Sequence, residues 1–92
     1  MATSDFAGIS FDDPRLQAEF ERLLQAVAAA EREREPVAQR HRQAERDLDK
    51  GAISDQQFRA IDDQYIAASN KIAAAKRAVD AFLTQNRNYR VK

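Results

Sequence analysis

The apolar positions of the chain recur at alternating steps of four and three residues in two long segments. The first segment carries this seam from Leu16 to Leu48, and the second carries it from Phe58 to Tyr89. Such spacing places apolar side chains along one stripe of an α-helix and is the heptad pattern of a coiled coil. Because only a few residues separate two segments of similar length, they are expected to be antiparallel neighbours. The pattern predicts an all-α protein, an antiparallel two-helix coiled-coil hairpin.

Helix 1 is expected over about residues 13–50. Asp13 precedes Pro14, and an acidic N-cap followed by a proline at the first helical position is a frequent helix start. Gly51 follows a lysine and provides a residue suited to the left-handed conformation that ends many helices. Pro36 is unfavourable inside a helix by ~3 kcal/mol or more. Since the heptad phase continues through this outward position, we expect a kinked, continuous helix, with a true break as the alternative.

Helix 2 is expected over about residues 55–86, after a turn at residues 51–54. The segment from Ser54 to Gln57 has the sequence of a capping box, in which each residue satisfies a backbone N–H group of the other. The rest of the chain divides into an extended N-terminal arm over residues 1–11 and the hairpin over residues 12–92, whose last residues 87–92 form a basic end.

The junction between the two segments, from Leu48 to Tyr65, resembles the turn of many short bacterial helical hairpins, including the SHOCT domains. This resemblance covers under a fifth of the chain. It implies a hairpin fold for the junction and no function.

The seam predicts which residues face each other. Folding about Gly51 pairs positions whose numbers sum to about 105 or 106, so that His41 lies opposite Tyr65. His41 is the only histidine, and we interpret it as a polar layer that fixes the register of the helices. The alternative is a metal ligand or an acid–base group, but Ala38 to His41 lacks the Glu-x-x-His spacing of metal sites in helical bundles. No metal or other cofactor is expected.

Charge is balanced over the whole chain but unevenly placed. The formal net charge is zero, while residues 1–30 carry an excess of acidic side chains and residues 51–92 an excess of basic ones. An antiparallel fold lays these ends side by side, which favours pairing within the chain. There is no cysteine, no apolar run long enough for a membrane span and no secretory signal, so a cytoplasmic location is expected.

Enzymatic activity is not expected. The serine and threonine hydroxyls have no activating base at a suitable spacing. Gly8 and Gly51 are isolated, so the chain has no glycine-rich phosphate loop and no small-molecule substrate is expected.

Several large hydrophobic residues exceed what one narrow seam can bury. Leu24, Leu83 and Ile66 lie outside the seam, and the arm adds Phe6, Ile9 and Phe11. Either the arm folds back as a third layer over the open end of the hairpin, or another chain covers these residues. We expect a homodimer that forms a four-helix bundle at this end, with the following partner-binding residues: Leu16, Phe20, Leu24, Phe82 and Leu83.

The expected function is that of a non-catalytic protein–protein interaction module, such as an adaptor, an assembly subunit or a chaperone-like binder. Its partners would be a second copy and a partner helix. The alternative is association with nucleic acid through the basic end, where Arg87, Tyr89 and Arg90 combine charge with an aromatic ring. Arg34, a charged residue on the seam, is expected to reach Glu31 or Glu35 of the same helix, with a partner carboxylate as the alternative.

Overall fold

The computed structural model describes residues 6–92. The elements follow the order β1 (Ile9–Phe11), α1 (Pro14–Asp49), α2 (Asp55–Gln85) and β2 (Tyr89–Val91). The two helices pack against each other in a rod of 56 × 19 × 15 Å. The predicted all-α helical hairpin is confirmed, and a small two-stranded sheet that the sequence pattern did not predict closes its open end.

Helix α1 is continuous from Pro14 to Asp49. It begins after Asp13, whose side-chain Oδ1 accepts a hydrogen bond from the backbone N–H of Arg15 at 2.9 Å. Pro36 lies inside the helix on an exposed position, and the helix continues through it without a break.

The turn between the helices is built around Gly51, which has a φ of 74°. The N–H of Gly51 donates to the carbonyl of Leu48 at 3.0 Å, and the N–H of Ala52 donates to the carbonyl of Asp47 at 2.8 Å. This pair of bonds is a Schellman motif, which satisfies carbonyl groups that the end of a helix would otherwise leave unpaired. The positive φ explains why the chain has a glycine here.

Helix α2 begins with the predicted capping box. The N–H of Gln57 donates to the Ser54 hydroxyl at 3.1 Å, and the N–H of Ser54 donates to the side-chain oxygen of Gln57 at 2.8 Å. At the other end Asn86 is the C-cap: its φ of −128° and ψ of 81° leave the helical region, and its backbone N–H and side-chain amide both donate to the carbonyl of Phe82. The predicted seam ran on to Tyr89, but Tyr89 reaches the core from strand β2.

Strands β1 and β2 are antiparallel, with Ile9 opposite Val91, Ser10 opposite Arg90 and Phe11 opposite Tyr89. The described part of the arm, residues 6–11, therefore folds back over the open end of the hairpin, and residues 1–5 of the predicted arm lie outside the described residues. Gly8 precedes β1 with a φ of 85°, and its carbonyl accepts a hydrogen bond from the N–H of Lys92 at 3.0 Å. A Cβ atom at position 8 would lie 3.3 Å from the carbonyl oxygen of Lys92, so both conformation and space favour glycine.

The core is concentrated at the arm end of the rod. The buried residues of its main cluster come from the arm and from both helices and are Phe6, Phe11, Phe20, Val27 and Val79. Partly buried residues pack around them, among them Leu16, Leu23, Leu24, Phe82, Leu83 and Tyr89. Neither helix combines the length and apolar character required to span a membrane.

Candidate interaction surfaces

The arm end is organised around the ring of Phe11. Its centroid lies 5.6 Å from that of Phe20, 5.5 Å from that of Phe82 and 5.7 Å from that of Tyr89, each in an edge-on arrangement. Phe20 and Phe82 stack on each other at 6.5 Å. Edge-on aromatic pairs at these distances stabilise a fold by more than the burial of their surface area alone would. The arm, α1, α2 and β2 thus share one aromatic cluster.

The five residues predicted to bind a partner all belong to this cluster or lie against it. Phe20 is only 1% exposed, so its ring contributes to the core of the chain itself. The other four, Leu16, Leu24, Phe82 and Leu83, are partly buried against the cluster. Their contact with a partner stays a prediction, but much of the apolar surface that motivated it is covered by the arm.

His41 forms the polar layer that the seam predicted. Its ring stacks on Tyr65 with centroids 4.6 Å apart and lies 5.4 Å from the ring of Phe58. Its Nδ1 is 3.0 Å from Oε1 of Glu45, and its Nε2 is 2.8 Å from Oδ1 of Asp62. Both ring nitrogens therefore have an intramolecular partner, and the contact with Asp62 joins the two helices. This arrangement fixes the register of the hairpin.

The part of the hairpin nearest the turn has a different surface. A groove of about 220 Å³ opens between the helices there, with mostly apolar walls from Ala44, Ile53 and Ile61. Arg40 and Asp47 line its rim, together with Gln43. Ala44 is buried, whereas Ile53 and Ile61 remain partly exposed. No third layer covers this groove within residues 6–92.

The basic C-terminal end makes specific contacts with the rest of the chain. Arg90 forms an ion pair with Asp12 at 3.0 Å, which joins the basic end to the acidic start as the charge distribution suggested. Arg87 donates to the carbonyl of Thr84 at 3.3 Å. The Tyr89 ring packs edge-on against Phe11 and is partly buried.

Other charged side chains lie along the surface of the rod. Lys71 and Glu33 form an ion pair between the helices at 2.6 Å, with both side chains more than half exposed. A hydrogen bond from Arg22 lowers the pKa of Glu19, and the pKa of Arg22 is raised by the same bond. Exposed pairs of this kind contribute little to stability. Arg34 is partly exposed on the seam.

Within residues 6–92 no group of three or more His, Asp or Glu side chains is arranged to hold a metal ion. In comparisons with known protein families, with curated proteins and with solved structures, the chain matches none. The surfaces described above are therefore the basis for any inference about function.

The sequence carries a local signal for the strands of the arm end. Ile9 and Phe11, and likewise Tyr89 and Val91, alternate with a polar residue, which is the two-residue period of a strand. Gly8, which has a positive φ, directly precedes the first of these pairs. Val91 is 67% exposed and is the most exposed large hydrophobic residue described.

Proposed function

We propose that this protein is a non-catalytic protein–protein interaction module that acts by helix packing, and that its first partner is a second copy of itself. The observation that carries the proposal is the uncovered apolar groove near the turn. The hairpin is a coiled coil of two helices, and such a coil buries one stripe only, so a second hairpin laid over the groove would complete a four-helix bundle.

The turn half offers a better interface than the arm end. The hydrophobic residues of the arm end already pack against a buried cluster of the same chain that includes Phe6 and Phe11. Near the turn, Ile53 and Ile61 have no comparable cover. Burial of a large aliphatic side chain is favourable by ~1.5–3 kcal/mol, so the uncovered residues provide the driving force for association.

The charges at the groove suit a symmetric contact. Arg40 and Asp47 lie two helical turns apart on α1, on either side of Gln43 and Ala44. If two α1 helices cross antiparallel at the midpoint of this stretch, Arg40 of each copy lies beside Asp47 of the other. A two-fold dimer requires a surface that is complementary to itself in this way. The zero net charge of the chain adds no general repulsion between copies.

Sedimentation equilibrium over a range of concentrations up to about 100 μM tests the proposal, since micromolar affinities are detected there. The wild type should form a dimer. Arg40→Glu should weaken the dimer, because it places like charges beside each other at both ends of the contact. The double change Arg40→Glu with Asp47→Arg should restore it, because the pairs are re-formed with their signs exchanged. Far-UV circular dichroism should be unchanged in all three proteins.

Two results would contradict this proposal. A wild type that stays monomeric at about 100 μM would exclude self-association in the micromolar range. A dimer that is insensitive to the charge exchange but dissociates with Leu24→Glu and Leu83→Glu would place the interface at the arm end, as the sequence predicted.

A further inference from the structure

Strand β2 forms one edge of the two-stranded sheet, and its outer side is open. The N–H of Lys92 donates to the carbonyl of Gly8. Since hydrogen-bonded and non-hydrogen-bonded pairs alternate along an antiparallel ladder, the backbone groups of Ser10 and Arg90 face each other. The N–H and C=O groups of Tyr89 and Val91 therefore point away from β1.

The outer sides of the two strands differ. On β1, the outward N–H of Phe11 donates to the side-chain oxygen of Gln17 at 2.8 Å, so the start of α1 caps that side. On β2, the outward groups of Tyr89 and Val91 have no hydrogen-bond partner within residues 6–92. Unpaired groups on an edge strand are a template for a further strand.

A groove lies beside this open edge. It has a volume of about 590 Å³ and is lined by Asp80, Leu83, Thr84, Arg87 and Tyr89. An extended segment that pairs with β2 would run along this groove, and every second side chain would point toward Leu83. Val91 would be covered by the same segment.

The charges at the edge determine which segment fits. Arg87, Arg90 and Lys92 are exposed, and residues 86–92 contain no acidic side chain. Pairing of β2 with a second copy of itself, centred on Arg90, would place two arginines opposite each other, and like charges directly opposite are unfavourable. An acidic strand has the opposite effect at Arg87 and Lys92, whereas Arg90 already forms an ion pair with Asp12 and Asp80 lines the groove itself.

The geometry points to a peptide-binding site at the open edge of β2 that takes an extended segment in which acidic residues alternate with apolar ones. The segment adds a third strand to the sheet by hydrogen bonds to Tyr89 and Val91. Its apolar side chains enter the groove beside Leu83, and its carboxylates lie near Arg87 and Lys92. This site is independent of the proposed dimer, which uses the opposite end of the rod.

The experiment titrates the ¹⁵N-labelled protein with a short peptide of alternating Glu and Val residues. The amide signals of Tyr89 and Val91 should shift as the peptide is added, and their hydrogen exchange should slow. A peptide with Lys in place of Glu is the charge control and should bind at least about tenfold more weakly, since it meets like charges at Arg87 and Lys92.

Val91→Pro removes one outward N–H and no bond of the β1–β2 ladder, and it should weaken binding of the acidic peptide by roughly tenfold. Val91→Thr keeps that N–H and should bind like the wild type. Arg87→Glu should also weaken binding, while Arg59→Glu, an exposed change at the far end of α2, should not. The Ser10 and Arg90 amide signals report whether the sheet is intact in each variant.

Absence of any shift at about 1 mM acidic peptide would overturn the proposal, because even weak strand addition is visible there. Equal binding of the Lys peptide would overturn the assignment of an acidic ligand. If oligothymidylate binds instead, and Val91→Pro leaves that binding unchanged, the basic end is a nucleic-acid site and the strand-addition site is wrong.

Discussion

The half of the rod next to the arm and the half next to the Gly51 turn share one heptad seam. They differ in how deeply the seam residues are buried. At the arm end, Phe20, Val27 and Val79 are at most 1% exposed. Toward the turn, Phe58 and Ile61 occupy equivalent seam positions and remain partly exposed. The difference is the presence of the arm, which provides a third layer at one end only.

This comparison shows what two helices can and cannot bury. In the turn half the buried residues are small, Ala38 and Ala44, since a small side chain fits between two helices without further cover. Larger side chains there stay open on one side, and the polar layer of His41 lies among them. The two helices alone leave Phe58 and Ile61 partly exposed near the turn, although Ile72, a seam residue outside the arm-end cluster, is only 5% exposed.

The largest expected effect comes from removing the ring at the centre of the arm end. Phe11→Ala should lower the free energy of unfolding by about 3–5 kcal/mol, as is typical for a buried phenylalanine. Phe58→Ala is the matched change in the turn half and should have a smaller effect, because Phe58 is already partly exposed. Urea denaturation followed by circular dichroism measures both. Equal losses would contradict the difference between the halves.

A smaller effect is expected at the glycine that positions the arm. Gly8→Ala should destabilise the protein by about 1–2 kcal/mol from the positive φ alone, with a further loss because the added Cβ approaches the carbonyl of Lys92. Gly51→Ala is the control, since its φ is similar and nothing lies within 4 Å of an added Cβ. The difference in melting temperature between the two variants measures the cost of the contact with Lys92, because the cost of the positive φ is common to both. A greater loss for Gly51→Ala would mean that the arm adds little to stability.

Pro36 lies between the two halves, and its replacement tests whether they unfold together. Pro36→Ala restores a backbone hydrogen bond at an exposed position and should raise the free energy of unfolding by about 1 kcal/mol. The melting temperature should rise, and the transition should become sharper if the proline limits coupling between the halves. A clear fall in melting temperature would show that the proline has a structural role of its own.

The smallest effect is expected from metal ions. Both ring nitrogens of His41 already contact carboxylates of the chain, so chelators should leave the melting temperature unchanged and zinc should not raise it. Differential scanning calorimetry with and without metal measures this. Stabilisation by one equivalent of zinc would instead indicate that His41, Glu45 and Asp62 bind metal, and the polar layer would then not be purely structural.

The helical part of the fold could be predicted from the sequence because its signals are local and repeated. The heptad steps define the seam, and Ser54 with Gln57 marks the start of α2. The pairing of His41 with Tyr65 followed from the position of the turn alone. Each of these inferences depends on residues close together in sequence or on a pattern that many residues support.

The sheet could not be predicted in the same way. Each strand has three residues, which is too short for its alternation to stand out, and the partners lie about 80 positions apart in the chain. Tyr89 also fitted the heptad phase, so its place on a strand was hidden by the stronger helical pattern. Whether the arm or another chain covers the open end is decided by the pairing of β1 with β2. The location of the candidate surfaces depends on the same pairing.

The most direct measurement is an isotope-filtered NOE experiment on a mixture of labelled and unlabelled protein, which separates contacts within one chain from contacts between chains. The account predicts intramolecular NOEs from the ring of Phe11 to the rings of Phe20, Phe82 and Tyr89, whose centroids lie 5.5–5.7 Å away. If these NOEs are absent, or arise only between chains, the arm does not cover its own hairpin. The open end would then be buried by another copy.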